Sequence, residues 1–366
     1  MSTSILKRVF SRRTHRPFSA WQVELTTRCP LQCKMCIRAG QDQWQSSDMD
    51  LDDFKKLLPY LGAVESVVLE GWGEALLHKN LIECVRLVKR AGARAGFVTS
   101  GKGLNEAYVR ELVNAGTNFI GFSLAGTTAR THNTIRVNSD LEELLLNIEG
   151  FRRIKGEEKA LAPKLHIVYL MLKDNFHEVP ALVGLAHALG IAEIVLINLI
   201  QATSARQEEQ RVYDLPDGAA YEETVREAES KARELNIRLR RPMLSPGEVA
   251  VCEENPLGNL YISVSGEVAP CVFLYPPTAA DIRRFIHGRE YRIEKVSFGN
   301  IFKSPFSQIW NNPAYAAFRS RFQERRKAWD RIYSQVWAPG RGENSGQEAL
   351  PEPPASCETC PKIRGA

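Results

Sequence analysis

The hydrophobic pattern alternates between two kinds of segment from residue 21 to about residue 239. Short apolar runs at 21–26, 66–69, 94–99, 119–123, 165–171 and 193–200 read as buried strands. Between them, apolar residues recur at helical spacing near 51–61, 81–91, 106–115, 141–154, 179–189 and 221–235. Asp50 and Asn105 stand where helix N-caps are expected, and Gly92, Gly116 and Gly190 where helices should stop. Six strands alternating with helices imply a parallel sheet. A closed (β/α) barrel has eight, so the pattern admits a partial barrel or a flat doubly wound sheet.

The pattern changes after Pro242. Residues 259–264 and 267–272 flank Ser265-Gly266 and read as a β-hairpin. Residues 313–322 read as a helix with Pro313 at its start. The Pro-, Gly-, Ser- and Glu-rich stretch 339–354 reads as a mobile loop. The expected division is a basic arm at 1–17, an α/β core at 18–240 and a small C-terminal unit at 241–366.

Composition narrows the classes. Over 366 residues the chain is 44% hydrophobic and 25% charged, which excludes a disordered or collagen-like protein and suits two domains. No apolar run approaches the ~20 residues of a bilayer span, so no membrane partner is expected. A net charge of +5 is too small to argue for nucleic acid. Lys7, Arg8, Arg12, Arg13 and Arg16 precede the first acidic residue, Glu24, without the apolar core of a secretory signal. They read as a solvated basic arm on a cytoplasmic protein, with a transit peptide as the alternative. Eight cysteines in a large chain with no mark of export point to metal or redox chemistry rather than disulfides.

Cys29, Cys33 and Cys36 are spaced C-x3-C-x2-C directly after the first strand. Ligands of parallel α/β sheets sit beyond the carboxyl ends of the strands. Three thiolates from one short loop can hold three irons of a cubane and leave the fourth iron without a protein ligand. Zinc is the first rival, although a structural zinc site takes four ligands and this loop offers three. Three buried thiols without metal are the second.

This spacing, preceded by Thr26-Thr27-Arg28, resembles the radical SAM superfamily. The likeness extends to Gly71-Trp72-Gly73-Glu74 after the second strand, Val98-Thr99-Ser100-Gly101 after the third, and Ser123-Leu124-Ala125-Gly126 after the fourth. The resemblance implies a partial (β/α)6 TIM-like barrel, with a [4Fe–4S] cluster on Cys29, Cys33 and Cys36 and S-adenosylmethionine at its open iron. It implies that Gly71, Gly73 and Glu74 meet the methionine amino group, and that Arg136 meets the carboxylate. Thr99 and Ser123 then lie along the cofactor, Ser123 near the ribose, with the Met35 backbone at the adenine. Ala125 stands where the family carries Asp, which removes one ribose contact. The implied reaction is reductive cleavage to a 5′-deoxyadenosyl radical that abstracts hydrogen from substrate. A flavodoxin or ferredoxin-type protein would donate the electron. No catalytic acid or base is named by the sequence. His132 and Cys84 read as structural.

Cys252, Cys271, Cys357 and Cys360 lie beyond the boundary. Four thiols in a small unit with little apolar core argue for a metal staple, either iron–sulfur or zinc. The layout resembles the auxiliary-cluster domain called SPASM, or its shorter relative, twitch. The matching features are Gly266 to Cys271, Gly299-Asn300-Ile301, Trp310, a helix and the closing Cys357–Cys360 pair. Four cysteines suffice for one fully ligated auxiliary [4Fe–4S] cluster, which leaves electron transfer or structure as its role.

The expected function is a maturase that modifies a peptide or another enzyme's cofactor site. Cys36-Ile37-Arg38, Trp44 and Asp48-Met49 are similar to maturases associated with tungsten-cofactor oxidoreductases. One alternative is a radical dehydrogenase of a small alcohol or sugar-like molecule, with the auxiliary cluster accepting the electron. Another is a non-catalytic iron–sulfur electron-transfer or binding protein. The basic stretch 319–331 reads as a solvated helix face, or as a dock for an acidic partner.

Overall fold

The computed structural model describes residues 16–39, 43–215, 218–279, 281–336 and 349–366. Residues 1–15 of the expected basic arm and 339–348 of the expected loop lie outside these.

A nine-stranded, largely parallel sheet forms the frame. Six strands follow one another in chain order: β1 (Phe18–Val23), β2 (Val64–Val68), β3 (Arg94–Thr99), β4 (Phe119–Leu124), β5 (Lys164–Leu170) and β6 (Glu193–Ile197). All five pairings between them are parallel. Helices Leu81–Arg90, Glu106–Asn114, Leu141–Glu157 and Val179–Ala188 return the chain between strands. Each buries an apolar stripe, such as Leu81, Val85 and Val88, against the sheet. Strand β7 (Arg238–Arg240) extends one side, and the sheet stays open as a partial barrel.

The other side holds a difference from expectation. Strands β8 (Asn259–Ile262) and β9 (Val268–Ala269) form the expected antiparallel hairpin, but β8 also pairs in parallel with β1. The C-terminal hairpin thus continues the central sheet. Strand β1 starts and ends three residues earlier than the apolar run suggests, because Phe18 packs edge-on to Phe306 and Trp310, with ring centroids 5.4 and 4.9 Å away. Thr26 and Thr27 bond instead to the 45–48 segment.

Local signals were obeyed unevenly. Asn105 caps its helix by accepting from the Tyr108 amide at 3.0 Å, whereas Asp50 makes no side-chain cap bond. The single helix expected at 51–61 is two short ones, Leu51–Lys55 and Leu58–Leu61, with Pro59 in the first turn of the second. A second hairpin, Ile282–Ile286 with Arg289–Ile293, was not expected; it turns through His287 and Gly288, both at positive φ (51° and 73°). The last helix runs Pro313–Val336, well past residue 322. Its face is not wholly solvated. Arg319 lies over Trp310 and Tyr315 at 3.7 and 4.4 Å, and Arg325 donates to the carbonyls of Val249, Ala250 and Pro351. No helix among the described residues is long and apolar enough to cross a membrane.

Candidate functional site

The loop after β1 is built by backbone and side-chain anchors. Thr27 Oγ1 donates to the Gln45 carbonyl at 2.7 Å and accepts from the Ser47 amide at 2.8 Å. Trp44 Nε1 donates to the Thr27 carbonyl at 3.2 Å. Gln32–Cys33 pairs as a two-residue antiparallel ribbon with Arg136–Val137, so Cys33 sits opposite Arg136. Gln207, which sequence reasoning missed, is the buried pin of the loop. Its Nε2 donates to the carbonyls of Lys34 and Cys36 at 2.9 and 3.0 Å, while Oε1 accepts from Thr203. Nothing local marks a glutamine 171 residues from Cys36 as its partner.

Cys29, Cys33 and Cys36 all line one cavity of ≈ 690 Å³, with Met35 and Arg38. Its far wall comes from the loops after β5 and β6, including Asp174, Arg206 and Gln210. Burial pushes the Cys36 thiol up to about 11 and raises Cys29, partly offset by Arg38. Metal ligation must therefore displace protons from these thiols.

Gly71 and Gly73 serve a closer contact than a ligand. A Cβ on Gly71 would stand 2.4 Å from the Glu24 side chain, and one on Gly73 2.1 Å from the Thr26 carbonyl oxygen. The glycines let the loop after β2 pack on the extension of β1. Glu74 is buried and its carboxylate is engaged within the chain. It accepts from Thr99 Oγ1 at 2.6 Å, Ser100 Oγ at 2.7 Å, Ser100 N at 2.8 Å and Leu76 N at 3.3 Å. Arg136 has a buried Nε with no partner among the described residues. Ser123 is half-buried near the end of β4. Met35 packs beside Ala125, Ile135 and Leu172. His132 is fully buried between the Ala125 amide and Ser139 Oγ, and Cys84 is buried inside its helix, as structural residues are.

The other four cysteines also form a group. Burial raises the thiols of Cys252 (to about 12), Cys271 and Cys357, and the charges of neighbouring cysteines add to it: Cys360 on all three, Cys252 on Cys271 and Cys357, and Cys357 on Cys271. Lys362 stands among them, paired with Glu254 at 2.8 Å. Trp72 connects the two cysteine groups. Its Nε1 donates to the Val272 carbonyl, beside Cys271, at 3.3 Å, and its ring lies 6.5 Å from Trp44 and 5.9 Å from Phe273.

The donor chemistry fits an iron–sulfur cluster at the first group: three thiols line the cavity, and Arg136, whose Nε is spare among the described residues, follows the lining residue Ile135, whereas Gly71, Gly73, Glu74, Thr99 and Ser123 do not line it. Comparison with known proteins decides the family. Residues 23–186 match the radical SAM superfamily, and residues 247–332 match SPASM, an iron–sulfur cluster-binding domain. The chain carries a radical SAM domain followed by a SPASM domain. This radical SAM protein is 26% identical over 305 residues to the tungsten-containing aldehyde ferredoxin oxidoreductase cofactor-modifying protein of Pyrococcus furiosus, covering 81% of this chain and 82% of that one. It is 24% identical over 255 residues to the PqqA peptide cyclase of Rhodopseudomonas palustris, covering 68% of this chain and 66% of that one. In fold it is similar to Streptococcus suis SuiB. The form with S-adenosylmethionine gives a TM-score of 0.61 at 13% identity, over 83% of this chain and 68% of that one. The form with precursor peptide SuiA gives 0.58 at 14%, over 96% and 71%. As a radical SAM enzyme with a SPASM domain, it uses a [4Fe–4S] cluster with S-adenosylmethionine and auxiliary iron–sulfur.

Proposed function

We propose that this radical SAM enzyme is a cytoplasmic maturase acting on a peptide or protein. Cys29, Cys33 and Cys36 hold the open-iron cluster; Cys252, Cys271, Cys357 and Cys360 hold one auxiliary [4Fe–4S] cluster. The supporting observation is that the three thiols share a ≈ 690 Å³ cavity with Asp174, Arg206, Gln207 and Gln210. That volume is of the size that takes a cofactor and part of a larger substrate. The mixed charged and amide lining suits a polypeptide backbone. The cofactor-modifying and peptide-cyclising relatives point the same way.

Bound in this cavity, the cluster and S-adenosylmethionine supply one-electron cleavage and hydrogen abstraction. The chain's own residues bind and orient. Arg136 offers its free N–H to the methionine carboxylate. The backbone of the loop carrying Gly71 and Gly73 would hold the amino group, and Glu74 fixes that loop to Thr99 and Ser100. Ser123 would hold the ribose and the Met35 backbone the adenine. Ile135 and Leu172 supply apolar lining that would exclude water from the reaction. The core at 18–240 carries the chemistry and the unit at 241–366 carries the auxiliary cluster, with electrons from a flavodoxin or ferredoxin-type donor.

The test is to add a protein-free peptide extract to reconstituted, reduced enzyme and follow 5′-deoxyadenosine. Stimulation abolished by exhaustive proteolysis of the extract, with a mass change on one peptide, is expected. Stimulation that survives proteolysis contradicts the reading and favours a small alcohol or sugar-like substrate.

A further inference from the structure

Arg284 is fully buried, and no carboxylate pairs with it among the described residues. Its Nη1 donates to Thr359 Oγ1 at 3.0 Å, while Nε and Nη2 have no partner among the described residues. Thr359 lies between Cys357 and Cys360. The Arg284 charge also opposes the burial that raises the Cys357 thiol. An unpaired guanidinium in a protein interior is strongly unfavourable unless an anion meets it. Lys362, another cation at this group, is already paired with Glu254 and Glu253.

The strand that carries Arg284 gives the placement. In Ile282–Ile286, neighbouring side chains point to opposite faces. Phe285 packs with Met35 against Ala125, Ile135 and Leu172, and its amide donates to the Ala202 carbonyl at 2.9 Å. Arg284 therefore faces away from the first cavity, toward the four cysteines.

We propose that Arg284 is the resident counter-ion of the auxiliary cluster, donating its free N–H groups to the cluster sulfurs and raising the cluster's reduction potential. This rests on the reading of Cys252, Cys271, Cys357 and Cys360 as an iron–sulfur site. A cubane on four thiolates is anionic, and reduction adds a further negative charge. A fixed cation at contact distance favours the reduced form, because net charge and hydrogen bonds to sulfur set such potentials. Arg284 is a positioning residue and touches no substrate.

The experiment uses the full chain with Cys29→Ala, Cys33→Ala and Cys36→Ala, so that only the auxiliary site can hold iron. Iron and sulfide are counted first. No iron in this parent overturns the reading of the four cysteines and the proposal with it. EPR potentiometry then compares the parent with Arg284→Lys and Arg284→Met. Arg284→Met is expected to lower the midpoint, leaving roughly tenfold or more less reduced cluster at the parent's midpoint, with Arg284→Lys close to the parent. An unchanged midpoint with full iron overturns the proposal and leaves the cluster standing. If Arg284→Met takes up no iron, thermal melts of the cluster-free proteins decide. The proposal expects the Met variant to melt no lower than the cluster-free parent. A lower melt shows a purely structural arginine and overturns it.

Discussion

The backbone of Arg136 pairs with that of Cys33 across a two-residue antiparallel ribbon. The two residues are thereby held in one register, so the cysteine loop and Arg136 move together. Arg136→Gln keeps the ribbon, which is made by main-chain bonds, and removes the charge. It should leave iron content unchanged and weaken S-adenosylmethionine binding by about tenfold or more. Equilibrium dialysis beside an iron assay checks this. Lost iron with unchanged cofactor affinity would contradict it.

Glu24 sits fully buried under the loop after β2, with Oε1 accepting from the Trp72 amide at 2.7 Å. Desolvation raises it from 4.5 to about 7, against the pull of Trp72, Tyr261 and Val264. A folded-state pKa above the unfolded one means a contribution that is full below pH 4.5 and lost as pH rises to about 7. Glu24→Gln keeps the acceptor and removes this slope. The variant should be more stable than wild type by about 3 kcal/mol above pH 7, with the gain vanishing toward pH 4.5. Urea unfolding across that range reads it; a difference independent of pH excludes Glu24 as the titrating group.

Gly73→Ala and Gly150→Ala should differ in sign. At Gly73 a Cβ meets the Thr26 carbonyl oxygen at 2.1 Å, and the loop must shift at a cost of about 1–3 kcal/mol or more. At Gly150, inside helix Leu141–Glu157, nothing lies within 4 Å, and alanine should stabilise by about 0.5–1 kcal/mol. Chemical denaturation of both variants is the check, and equal effects would mean that the close approach after β2 costs nothing.

Gln207→Leu deletes both bonds to the cysteine loop and strands the Lys34 carbonyl, while the Cys36 carbonyl keeps the Ala39 amide at 3.1 Å. A loss of about 1–3 kcal/mol from that orphan should loosen the loop. Cluster release to a chelator should speed up severalfold, with helix content by circular dichroism unchanged. A release rate equal to wild type would remove Gln207 from the loop's support.

What could be read from the chain was what is local. The run at 94–99 became β3 (Arg94–Thr99), and the cap at Asn105 formed, because burial on both faces and a side-chain oxygen before a helix leave direct marks. The cysteine loop was visible through spacing alone. Three things were not. Pairing of β8 with β1 joins residues 239 positions apart, as in Ala20 with Asn259, and periodicity carries no partner information. The hydrogen bonds that tie the Glu74 carboxylate to Thr99, Ser100 and Leu76 join separate strand ends and left no mark in the sequence. The hairpin around His287-Gly288 had a signal, a two-residue turn of the kind that favours positive φ, hidden by the arginines on its strands.

On this reading the cavity beside Cys33 holds an iron–sulfur cube able to cleave S-adenosylmethionine. The most direct measurement is 5′-deoxyadenosine formation by anaerobically reconstituted, reduced protein, wild type against Cys33→Ala, with Mössbauer spectra of both. Cluster signal and product in wild type, with no product from Cys33→Ala, is the predicted result. Product at the wild-type rate from Cys33→Ala, or wild type that assembles a cluster only on the four C-terminal cysteines, would contradict it.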